Sequence, residues 1–232
     1  MTETTPAPAH NSRHNLILWL ITVPGFLLAA LCLKWYADTD EIALLLLGLV
    51  TLGMAYDFLS HILGSLFADS NRFLQIYSRI NFAALCFGIP FTAFAGSFIM
   101  DQVVPGGISS WLVEHYLPIL HGSVLFGLLF LFARYKRIEV AGAVEYTLDK
   151  SHTYTRIIFL VRRILLGASL FIGLAVAADA WGTPWLPWAL AFVGVFIASV
   201  PLHILHKQIP SMLSELITQL LAIYASWQVF VA

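Results

Sequence analysis

Seven long apolar blocks divide the 232-residue chain, at about residues 16–34, 42–66, 79–100, 112–133, 157–179, 186–206 and 211–231. Each has about the length of a bilayer-crossing helix, roughly 20 residues at 1.5 Å rise. Short polar stretches separate them: the acids Asp38 and Asp40, the run Asp69-Ser70-Asn71-Arg72, Asp101 to Gly107, Trp181-Gly182-Thr183-Pro184, and Lys207-Gln208-Ile209-Pro210. Only 134–156 is a sizeable polar piece. The pattern predicts an all-α integral membrane protein: a seven-transmembrane-helix bundle over 16–231, a disordered cytoplasmic tail at 1–15 and a cytoplasmic loop at 134–156. Within that loop, 138–148 reads as a short interfacial helix, although its period is poor.

Polar and small residues inside the blocks recur at spacings of three and four, so they form stripes on helical faces. The second block carries Gly53, Asp57, Ser60, His61 and Gly64. The third opens with Arg79 and Asn81, and the fifth has Arg162, Ser169, Gly173 and Ala177. The sixth ends with Ser199, His203 and His206, and the last has Ser211, Glu215, Thr218, Ala222 and Ser226. In lipid such stripes turn toward the bundle interior, because an ionisable side chain facing acyl chains is costly.

Composition agrees with a lipid solvent. The chain is 59% hydrophobic and 11% charged, with a mean hydropathy of +0.84. Soluble domains are about 45–50% apolar and about 25% charged. A net charge of −1 argues against nucleic acid as a partner. Cys32 and Cys86 fall in apolar blocks without CxxC spacing and read as packing residues.

Charge also orients the bundle. With the N-terminus in the cytoplasm, every Lys and Arg except Lys34 falls on the cytoplasmic side, while Asp38, Asp40, Glu41, Asp101, Glu114 and Asp179 fall opposite. Trp35, Trp111, Trp181, Trp185 and Trp188 mark the outer interface. The expected location is a bacterial-type inner membrane, multi-pass, with the C-terminus periplasmic.

That orientation puts Asp57, His61, His203, His206 and Glu215 in one layer near the cytoplasmic face, with Arg79 and Arg162 beside them. The chemistry expected of the layer is capture of a divalent metal, zinc or iron, or of a proton. His61, His203 and His206 would be the metal ligands, Asp57 and Glu215 the acid–base groups, and Arg79 and Arg162 the grip on an anionic group. The substrate would be ionic or lipid-soluble. The same residues fit a proton-coupled transporter or channel, with Glu114, His115 and His121 as an outer half-channel. They also fit a haem b or quinone redox subunit, with His61 and His203 or His206 as axial ligands. The bland alternative is an accessory subunit in which the acids pair with the arginines.

GxSxG, HExxH, Walker, GxGxxG and CxxC motifs are absent, and the last block holds no lysine for a retinal Schiff base. In topology, and in His61 near the inner end of its second helix, the bundle resembles the seven-helix group of alkaline ceramidases and progestin/adiponectin-type receptors. That resemblance implies a cytoplasm-side zinc site. The chain departs from the group's pattern at several places. Asp57 stands where the group has Ser four residues before that His, the third-helix Asp is missing, and His203 and His206 end the sixth block instead of forming an HxxxH in the last.

Overall fold

A computed structural model describes the backbone of residues 12–67, 71–140, 143–204 and 208–232, and their side chains except 12–15, 85–90, 140, 143, 196, 199–204 and 208. Eight helices occupy most of these residues: α1 (Ser12–Thr39), α2 (Ile42–Leu66), α3 (Asn71–Val103), α4 (Ile108–Glu114), α5 (Tyr116–Leu129), α6 (Thr153–Asp179), α7 (Leu186–Ile204) and α8 (Gln208–Phe230). A single 3-10 turn, Phe130–Phe132, follows α5. Among the described residues, three helical segments are long and apolar enough to cross a membrane: Leu16–Thr39, Ile42–Leu66 and Thr153–Asp179. A fourth is added if α4 and α5 count as one bent span.

The polarity of the surface is that of a membrane-embedded protein. On α8, Ser211, Ser214, Thr218, Gln219 and Ser226 are buried, while Leu213, Ile217, Leu220, Tyr224 and Trp227 are exposed. This inverts the amphipathicity of a water-facing helix. On α6, Ile157, Leu160, Ile164, Phe171 and Leu174 form a similar exposed apolar face. One buried polar cluster is satisfied across three helices. Gln219 receives a hydrogen bond from the Thr51 hydroxyl (3.2 Å) and donates one to the Thr92 hydroxyl (3.1 Å), tying α8 to α2 and α3.

Two residues separate α1 from α2, so the pair is antiparallel. Asp40 takes a left-handed conformation (φ 61°) and its N–H bonds the Tyr36 carbonyl, closing α1. At the end shared by the start of α1, the end of α2 and the start of α8, Leu18, Ile21, Met54, Phe58, Ile62, Met212 and Leu216 form one apolar cluster. A larger cluster around Leu47, Phe94, Phe98, Phe192 and Ile223 holds the opposite end.

Two expectations change. The fourth block is not one straight helix: α4 and α5 meet at His115 with a 62° bend. Pro118 supplies the cause, since its ring clashes with the carbonyl four residues back and it donates no N–H. The loop at 134–156 is not an interfacial helix. It is an antiparallel β-hairpin, β1 (Tyr135–Val140) and β2 (Ala143–Leu148), with Tyr135 opposite Leu148 and Ile138 opposite Glu145. β-Branched and aromatic residues at Tyr135, Ile138, Val140, Val144, Tyr146 and Thr147 favour strand over helix.

Candidate functional site

The hairpin docks on the last turns of α2, and Gly64 makes that contact close. A Cβ on Gly64 would come within 2.4 Å of the Val144 carbonyl oxygen, so no larger residue fits without moving the strand. Burial of Val144 fixes the strand face, and its neighbour Glu145 reaches α2 one turn earlier. There the Glu145 Oε1 lies 2.6 Å from His61 Nδ1, with side chains 20% and 17% exposed. With the Glu145 carboxylate as acceptor, Nδ1 is the donor and Nε2 is left as the second imidazole nitrogen.

Deeper along the same face of α2, Asp57 accepts a hydrogen bond from the Asn81 amide of α3. Asn81 is 5% exposed, and its own Oδ1 has no hydrogen-bond partner among the described residues. Tyr77 pins α3 to α2 one turn below: its hydroxyl donates to the Tyr56 carbonyl (2.5 Å) and its ring stacks on Tyr56 at 4.1 Å. Glu215 of α8 accepts from the Ser211 hydroxyl (3.3 Å). Glu215 lies within electrostatic reach of Asp57, His61 and Arg162, and His61 within reach of Asp57, Glu145 and Glu215.

The described structure therefore brings together Asp57, His61, Glu215 and Arg162, and adds Glu145. Arg162 rests over the Phe82 ring at 5.6 Å. Arg79 is turned elsewhere. It donates to the Leu131 carbonyl and lies over the Tyr135 ring at 5.3 Å, bracing the base of the hairpin. The His203 side chain and all of His206 lie outside the described residues. Among the described residues, no three of His, Cys, Asp and Glu gather as a metal-holding group.

The groups expected to form an outer half-channel lie on the surface of the chain. Glu114, His115 and His121 are all exposed. The His115 ring stacks on Trp111 (4.5 Å) and its Nδ1 lies 2.8 Å from the Trp111 carbonyl, so the α4–α5 break turns these groups outward. Asp179 at the end of α6 has a local task. Its carboxylate accepts from the N–H groups of Ile108 (3.0 Å) and Ser109 (2.5 Å), capping α4.

Glu145 was the residue hardest to find from sequence. Its signal is the alternation Val144-Glu145-Tyr146-Thr147-Leu148 after the Ala141-Gly142 pair, which suits a hairpin with a tight turn. No protein-family model matches the chain, and no curated protein matches it either.

Proposed function

We propose that the chain is a seven-span protein of a bacterial-type inner membrane, N-terminus cytoplasmic and C-terminus periplasmic, that binds a proton at its cytoplasmic face and moves it across the membrane with an ionic or lipid-soluble substrate. The observation that carries the reading is the Glu145–His61 contact at 2.6 Å within electrostatic reach of Asp57 and Glu215. A carboxylate and an imidazole 2.6 Å apart can pass a proton between them without large movement. With Nδ1 bonded to Glu145, Nε2 is the atom that takes and returns the proton. Asn81 holds Asp57 in place, and the unpartnered Asn81 Oδ1 offers an acceptor for water or substrate. The hairpin lies against the end of α2 that this orientation makes cytoplasmic.

Seven spans are supported by element lengths. α7, with 19 residues, is about 28 Å long, and α8, with 23, about 34 Å, near the roughly 30 Å of a bilayer core. α3 is longer still, and α4 with α5 supplies one bent crossing. The outward face of α8 is apolar, as a crossing requires. Lys and Arg concentrate at the hairpin end, which supports the cytoplasmic assignment of that end.

The His61–Glu145 contact leaves Nε2 open to a proton or a metal alike, and the proton is preferred because no three of His, Cys, Asp and Glu gather as a metal-holding group among the described residues. Elemental analysis and an optical spectrum of purified protein test this choice. The proton reading predicts neither stoichiometric metal nor a Soret band; either one would replace it with a metal or haem centre.

A further inference from the structure

We propose that Lys136, Lys150 and Arg163 form a binding site for the phosphate of an anionic phospholipid in the leaflet next to the hairpin. Lys150 Nζ sits 3.8 Å from the centroid of the Phe159 ring, and the Arg163 guanidinium 4.6 Å from the same centroid. Two cations thus share one ring, and Lys136 of β1 stands within electrostatic reach of Lys150. Partial burial, with Arg163, Lys136 and Arg162 nearby, pushes the Lys150 ammonium below its ordinary range. Like charges gathered around one ring repel one another, and an anion bound beside them would relieve the repulsion.

Asp149 is within electrostatic reach of Lys136 and offsets part of the charge, but makes no direct ion pair with the three cations among the described residues. Asp149 accepts from the Ser151 N–H (3.1 Å) and hydroxyl (2.8 Å), and lies 3.6 Å from His152. None of the three cations makes an ion pair with a carboxylate among the described residues. The apolar exposed residues Leu160 and Ile164 flank Arg163 on α6. A phosphate seated on the cations would therefore carry its acyl chains down an apolar helix face, which favours a lipid over a free anion. This inference needs the membrane setting but not the proton chemistry.

Native mass spectrometry of the full-length protein in detergent, titrated in turn with phosphatidylglycerol, phosphatidylcholine and inorganic phosphate, tests it. The expected result is preferential binding of phosphatidylglycerol, weakened about fivefold for each charge removed in Lys150→Gln, Arg163→Gln and Lys136→Gln. Lys136 lies on an exposed strand, so its variant stays informative if the other two fold poorly. Equal binding of both lipids, unchanged affinity in the variants, or phosphate bound as tightly as phosphatidylglycerol would each overturn the proposal.

Discussion

His61 Nδ1 and Glu145 Oε1, 84 residues apart in sequence, lie 2.6 Å apart and fasten the β-hairpin to the last turns of α2. Each is partly exposed, and each loses its partner if the hairpin lifts. A double-mutant cycle reads this directly. His61→Ala and Glu145→Ala should each speed amide exchange over 135–148, and the double variant should add little. A coupling free energy of about 0.5–3 kcal/mol is expected, and strict additivity would show that the pair does not hold the hairpin.

Gly64 permits that docking. Gly64→Val places methyl groups into the Val144 carbonyl, which lies 2.4 Å from where a Cβ would stand. The variant should lower stability by about 1–3 kcal/mol and expose 135–148 to limited proteolysis. Wild-type protection of the hairpin in Gly64→Val would mean that α2 and β2 do not touch.

The hairpin was also the least legible part of the chain. Long apolar blocks announce helices because about 20 residues of one character leave few alternatives. Two six-residue strands with charged residues among them carry a far weaker signal, and their docking depends on Gly64, far away in sequence. The stripe on α2 was readable, since Asp57, His61 and Gly64 follow helical spacing and all three make contacts on the interior side. Their partners were only half readable. Asn81 lies at the start of the third apolar block, where a polar residue draws notice, whereas Glu145 lies in a polar loop, where it does not. Arg79 shows the converse: its place beside an acid layer suggested a charge partner, yet a backbone carbonyl and Tyr135 receive it.

The Thr51–Gln219–Thr92 chain of hydrogen bonds is buried and joins three helices. Gln219→Leu keeps the bulk but removes the amide that both threonines bond. Stability in micelles, measured by denaturant titration, should fall by about 0.5–2 kcal/mol, in the range found for buried hydrogen bonds in membrane bundles. No loss would place the threonine hydroxyls with their own helix carbonyls alone, which the Thr51 hydroxyl also reaches at Leu47 (2.7 Å).

Asp179 caps α4 from the end of α6, so its carboxylate links two otherwise separate elements. Asp179→Ala should cost about 0.5–2 kcal/mol and loosen 108–114 in hydrogen exchange. The hairpin at the other end of α6 should keep its protection, because among the described residues the Asp179 carboxylate accepts its hydrogen bonds from α4.

Proton flux into liposomes carrying the purified protein tests the central claim most directly. Wild-type protein should acidify the lumen under an imposed gradient, and Asp57→Asn and His61→Gln should each reduce the flux to that of protein-free liposomes while Asp179→Ala retains it. Equal flux from wild type and both site variants would contradict a proton-handling role for this cluster.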